Sequence, residues 1–191
     1  MPLTTYTPGE VLTASSLNNN FSVAASSGGL VFVSSATFSA AATVSIPNSS
    51  FTSTYANYRI IFIADTFSAA ASLTMRMRAS GADDTNASYQ YSIVGYDTGG
   101  TLNGIQATGQ TSAIIGYAVT TGIGLSMDIY NPQATANTRF TVASWGKNAS
   151  TATPSPQTGG GSFAATTSFD AVSFISASNM TGRYAVYAYN Q

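Results

Sequence analysis

The sequence predicts an all-β protein, an antiparallel β-sandwich or jelly roll of about ten strands, preceded by a short N-terminal arm that carries a short helix. Three observations favour this class. Short segments rich in β-branched and aromatic residues recur from Leu30 to the end of the chain. Clusters of Gly, Pro, Ser, Asn and Asp separate these segments. No segment after residue 30 repeats its apolar residues with the 3.6-residue period of a helix.

Residues 1–29 are predicted to form an attachment arm that ends in a flexible joint. Thr13 is a candidate N-cap for a helix that extends to about Phe21. Leu12 and Leu17 have the spacing of a hydrophobic staple, and Leu17 and Phe21 are four residues apart, so they share one helix face. A helix of about two turns is marginal in water by itself. We therefore expect this apolar face to need a surface that covers it.

Residues 30–191 are predicted to form the β-sandwich domain. The run YRIIFIAD at 58–65 is almost continuously apolar, which is typical of a strand buried on both faces. The run LTMRMR at 73–78 alternates between apolar and polar residues, which is typical of a strand with one buried face. The predicted strands are 30–38, 42–46, 58–65, 73–78, 88–95, 111–118, 124–130, 139–145, 162–166, 171–177 and 183–189.

Composition excludes several classes of function. Charged residues are only 7% of the chain, against about 25% in average soluble proteins. The net charge is −1, so no basic field attracts phosphate, and we expect no nucleic-acid partner. No run of about 20 apolar residues is present, so no membrane insertion is expected. The first residues also lack the basic and apolar regions of a signal peptide.

The chain offers little chemistry for catalysis. It has no Cys and no His, which excludes catalysis and metal binding by those side chains. Asp83 and Asp84 are adjacent, whereas the two acids of a glycosidase face one substrate across about 5–9.5 Å. Together with Asn86 they offer oxygens to Ca²⁺, but an exposed turn with Asx-type hydrogen bonds is the interpretation that we favour. We expect no enzyme, no cofactor and no metal site.

The stretch GEVLTASSLN at positions 9–18 resembles the N-terminal segment of many tailed-bacteriophage fibre and other virion appendage proteins. In those proteins a GEVLTAA-LN signature opens the chain ahead of a β-rich body. The stretches TYANYRIIF, LTMRMRASGADDTNASYQYS and TGRYAVYAYNQ are similar to small C-terminal domains of such proteins, so the resemblance covers nearly the whole chain. It implies a role in attachment to the particle for Glu10, Val11, Leu12, Leu17, Asn18 and Phe21.

The resemblance implies a structural, non-enzymatic phage virion protein, located on the virion and assembled in the host cytoplasm. Long fibres carry repeats or a coiled-coil shaft, and this chain has neither, so a short tail fibre fits its length better. Its partners would be other virion proteins bound by the arm, and we expect a homotrimer by analogy with fibres. One alternative is a capsid decoration or head-fibre protein. A second is a carbohydrate-binding module, and a third is a glycan depolymerase, which requires a functional carboxylate.

Host attachment is a further expectation. The Gly-, Pro-, Thr- and Asn-rich stretches 95–110 and 146–161 are predicted to be long polar loops. For each loop by itself we favour an ordinary connection between strands, although binding on a β scaffold usually resides in such loops. A host-surface glycan is the candidate ligand. The candidate receptor-facing residues are Tyr96, Asn103, Lys147 and Asn148.

Overall fold

The structure is a computed structural model that describes residues 5–11, 13–26, 29–96, 101–118, 120–147 and 154–190. These residues are mostly antiparallel β-strand with one short helix near the N-terminus, so the predicted all-β class is confirmed. No helix among them is long and apolar enough to cross a membrane. The elements are α1 (Ala14–Ser26), β1 (Leu30–Ser45), β2 (Asn57–Phe67), β3 (Ala71–Ala79), β4 (Ala82–Asp83), β5 (Tyr89–Tyr96), β6 (Leu102–Gln110), β7 (Ala113–Ala118), β8 (Ile123–Tyr130), β9 (Thr138–Lys147), β10 (Pro154–Phe163) and β11 (Ala171–Tyr189).

The described strands join in one antiparallel sheet that curls into a half-barrel. Neighbouring strands follow the order β4-β3-β11-β2-β8-β9-β10-β5-β6, while β1 pairs with β11 and β7 pairs with β3. The long strand β11 organises the curl. Its first part pairs with β3, its second part pairs with β2, and β1 runs along its other edge. The strands β3 and β7 therefore close over the main sheet, and β7 contacts β9, β5 and β10.

The core lies inside the curl. The Phe62 ring packs on Phe174 at 4.4 Å between centroids and stacks on Phe38 at 5.2 Å. Alternate residues of β2 are buried there, while Ile61 and Ile63 are half-exposed on the opposite face, which we call the outer face. The prediction that 58–65 is buried on both faces is therefore wrong, because no described element covers the outer face of β2.

Two pairs of predicted strands are single strands in the structure. The segments 30–38 and 42–46 belong to β1, and 171–177 and 183–189 belong to β11. Irregular register between β1 and β11 allows this, with shifts after Phe32, after Phe38 and after Ala41. Ala40 takes a positive φ of 50° there. Such bulges accommodate extra residues without ending the strand.

The two predicted polar loops are largely strands, so that prediction is wrong. The structure places β6 at Leu102–Gln110 and β10 at Pro154–Phe163. The glycines that favoured a loop instead permit close strand approach. A Cβ on Gly161 would overlap the carbonyl oxygen of Gln90, and a Cβ on Gly159 would overlap that of Ser92. Glycine inside a strand often marks such a close backbone approach.

Candidate functional site: the N-terminal arm and the outer face

The arm opens with a tight turn at Thr7-Pro8-Gly9-Glu10. The Glu10 N–H donates to the Thr7 carbonyl at 3.1 Å, and Gly9 has a φ of 93°. Proline followed by a residue with positive φ is the pattern of a type II turn. The Glu10 carboxylate also accepts hydrogen bonds from the Thr7 N–H at 3.1 Å and the Thr7 hydroxyl at 3.2 Å. Glu10 therefore closes the turn within its own segment.

The helix α1 begins at the predicted cap. The Thr13 hydroxyl oxygen accepts a hydrogen bond from the Ser16 N–H at 3.2 Å, and the Leu17 N–H donates to the Thr13 carbonyl at 3.0 Å. This is the contact by which threonine satisfies an unpaired N–H of the first helical turn. The helix continues beyond Phe21 to Ser26, so it is longer than the sequence predicts. Thirteen residues are still marginal for an isolated helix in water.

Three of the described apolar side chains of the arm are exposed to solvent. Leu17 is 40% exposed, Phe21 is 65% exposed and Val11 is 83% exposed. Asn18, beside Leu17, is exposed as well. Leu12 lies outside the described residues. The described β domain therefore leaves this apolar surface open to solvent.

The receptor-facing candidates share one end of the sheet. Tyr96 ends β5 and pairs with Leu102, and Asn103 pairs with Gly95. Lys147 ends β9 and pairs with Pro154 at the start of β10. Asn103 is exposed, and its side-chain oxygen accepts a hydrogen bond from the Gly104 N–H at 2.9 Å. Asn148 lies outside the described residues.

One exposed aromatic residue near this end was missed by the sequence reasoning. Trp145 is 55% exposed and pairs with Pro156 across β9 and β10. A signal was present, because the alternation that turns Phe140 and Val142 inward places Trp145 on the opposite face.

An ion pair on the outer face, near the ends of β2 and β8, was also missed. Arg59 on β2 binds Asp128 on β8 through both carboxylate oxygens, at 2.8 and 2.7 Å. The Tyr189 hydroxyl donates to Asp128 at 2.7 Å, and the Arg59 guanidinium lies 5.5 Å from the centre of the Tyr189 ring. No sequence signal marks this pair, because its two charges lie far apart in the chain and only the strand register brings them together.

The electrostatics of this cluster follow from its contacts. The hydrogen bond from Arg59 lowers the pKa of Asp128 and exceeds the opposing effect of burial, and the weaker contribution of the Tyr189 hydrogen bond also lowers it. Burial raises the pKa of Tyr189 to about 12, and its hydrogen bond to Asp128 acts in the same direction. The cluster is fully paired at neutral pH, so it ties three strands together and offers no free acid or base.

The adjacent aspartates have structural contacts. Asp83 accepts a hydrogen bond from the Ser173 hydroxyl at 2.6 Å and lies 3.5 Å from Arg78. Asp84 accepts from the Asn86 N–H at 2.8 Å, which is the predicted Asx-type turn. No group of three or more acidic or other metal-ligating side chains occurs among the described residues. Both aspartates therefore make contacts within the folded chain.

Comparisons with known proteins give little for this chain. No family model matches it, and no curated protein matches it. Among solved structures it is similar to a fructofuranosidase from Schwanniomyces occidentalis, complexed with fructosylnystose, with a TM-score of 0.25 and 5% identity. That likeness covers 85% of this chain and 34% of the enzyme chain, so the chain spans about a third of its length. A similarity at this level carries no argument about function.

Proposed function

We propose that this chain is a structural, non-enzymatic component of a tailed-bacteriophage virion, a short tail fibre that its N-terminal arm anchors to the particle. The arm, residues 1–29, binds other virion proteins, and the β domain projects from the surface. The resemblance of the GEVLTASSLN stretch and the geometry of the arm both support this role in attachment. A capsid decoration or head-fibre role would use the same arm on a different neighbour.

The observation that carries the proposal is the uncovered apolar face of α1. Leu17 and Phe21 lie on one side of a helix that is marginal by itself, and both are exposed in the isolated chain. Burying a Leu or Phe side chain stabilises a complex by about 1.5–3 kcal/mol each. A partner surface that covers this apolar face would therefore stabilise α1, since helix stability in proteins comes mainly from packing of an apolar face.

The edge strand β1 supports self-association. It pairs with β11 on one side, and no described strand pairs with its other edge. From Val11 to Tyr58 the sequence contains no charged residue, so the usual protection of an edge by lysine or another charge is missing. Covering this edge with neighbouring copies suits a homotrimer.

Incorporation of arm variants into particles tests the proposal. We expect Leu17→Ser combined with Phe21→Ser to abolish incorporation, because the partner surface loses both apolar anchors. Asn19→Ser, at an exposed position of the same helix, is the matched control and should be incorporated normally. The readout is the amount of the chain that copurifies with particles in a complementation assay.

Folding of the free variants separates attachment from stability. Both altered side chains are exposed, so the melting temperature of the purified double variant should stay within a few degrees of the wild type. Normal incorporation of this folded double variant would refute the proposed role of the arm.

A further inference from the structure

A shallow groove crosses the outer face where β10, β5 and β6 lie side by side. Its volume is about 480 Å³. It is lined by Gln90, Ser92, Gln106, Thr108, Gly160 and Ser162. These positions are neighbours in register, because Gly160 pairs with Ser92 and Ser92 pairs with Gln106. From β10 to β6 the groove is about 10 Å wide, which is two strand spacings.

The groove exists because β10 has no side chain at its centre. Gly160 occupies a position where a Cβ would meet the carbonyl oxygen of Phe140, so no other residue fits there without movement of β9. The floor is therefore strand backbone and the small Ser92 side chain. The longer side chains of Gln90 and Gln106 border this floor.

The chemistry of the lining is neutral and rich in hydrogen-bonding groups. Two carboxamides and three hydroxyls face the groove, and no charged residue lines it. The side chains of Gln90, Ser92 and Gln106 have no hydrogen-bond partner within the described part of the chain. Each carboxamide offers two donors and an acceptor, and each hydroxyl both donates and accepts. Such groups match the adjacent hydroxyls of a sugar.

We propose that this groove binds a neutral glycan, through the Gln90 and Gln106 carboxamides and the hydroxyls around them. An anionic ligand would find no counter-charge in the lining, and Arg139, which pairs with Ser162 from β9, stands outside it. The width suits one or two sugar units of a longer chain. The inference deepens the proposed function, on which its biological meaning rests, because it assigns host contact to the outer face and not to the end of the sheet.

Side-chain amide signals provide a direct test of the full chain. The probes are short neutral glucan, mannan and galactan oligosaccharides, with polygalacturonate fragments as the anionic comparison. We expect at least one neutral probe to shift the ¹⁵N-labelled amide signals of Gln90 and Gln106 in a saturable way. If no neutral probe does so, or if only the anionic fragments do, the inference is wrong.

Two variants test the groove itself. Ser92→Tyr fills the groove at an exposed strand position, and Gln106→Ala removes one carboxamide. Each should weaken binding of the neutral probe at least tenfold. Ser126→Tyr places the same bulk on the outer face between Ile61 and Ala143, away from the groove, and should bind like the wild type. Wild-type affinity in Ser92→Tyr would overturn the inference.

These results are separate from the test of the arm. Sugar binding is measured on the purified chain, whereas the proposed function is measured by incorporation into particles. A chain that binds sugar through the groove but never joins a particle would retain this inference and refute the virion role. A chain that joins particles but binds none of the neutral probes would refute this inference and retain the virion role.

Discussion

Asp128 accepts two hydrogen bonds from Arg59 and one from Tyr189 on the outer face, and its contribution to stability is testable. Asp128→Asn removes the charge that Arg59 and Tyr189 both contact. Hydrogen bonds to charged groups contribute about 1.5–3 kcal/mol each in favourable sites. Because the Arg59 side chain is 37% exposed, we expect a lower loss of about 1–2 kcal/mol in the free energy of unfolding at pH 7, measured by urea denaturation.

The same residue predicts a dependence on pH. Arg59 lowers the pKa of Asp128 in the folded chain below its ordinary value of 3.8. Its contribution is therefore fully present above that value and is lost as the pH falls through the lowered pKa. The difference between wild type and Asp128→Asn should shrink in acid. Asp65→Asn is the control, because its pair with Arg183 is more than half exposed on both sides and should matter little. An equal loss in both variants would contradict this account.

Gly161 tests the close approach of β10 to its neighbours. Gly161→Ala forces a methyl group against the Gln90 carbonyl and the Phe140 ring, so we expect the free energy of unfolding to fall by about 2 kcal/mol or more. Gly124→Ala on β8 is the matched control, since a Cβ there meets nothing within 4 Å. It should be neutral or stabilise by about 0.5 kcal/mol. Thermal or chemical unfolding of both variants decides the matter, and equal stability would show that β10 is looser than described.

At the scale of elements, the sequence predicts those parts that depend on local patterns. The Thr13 cap and the alternation of β3 come from neighbouring residues, and both are confirmed. The β10 strand could not be predicted in this way. Its glycines are locally typical of a loop, and their role in close packing against β5 and β9 depends on residues that are distant in the chain. The outer-face ion pair and the groove also arise from register between strands, which no local pattern specifies.

The β1 edge gives a prediction about assembly. Ser35→Lys places a charge on this exposed, uncharged strand, and we expect it to disrupt association of copies. Sedimentation should show wild type at three times the 19.6 kDa chain mass and the variant at the mass of one chain. Ser53→Lys adds the same charge in an exposed turn and should remain associated. A monomeric wild type at high concentration would contradict the trimer.

At the scale of the whole molecule, the core, the outer face and the arm differ in their chemistry. The core inside the curl is apolar, the outer face carries a paired ion cluster and a neutral groove, and the arm carries apolar side chains without a cover. The division of the chain into an arm at 1–29 and a domain at 30–191 remains a prediction.

The most direct test of the central claim is a symmetry-resolved cryo-electron microscopy reconstruction of a particle that carries this chain. The account predicts density for another virion protein against Leu17 and Phe21, at the tail for a short fibre or at the capsid for a head fibre. The contrary result is an ordered α1 on a particle-bound chain whose Leu17 and Phe21 side chains still face solvent. That result would contradict the account.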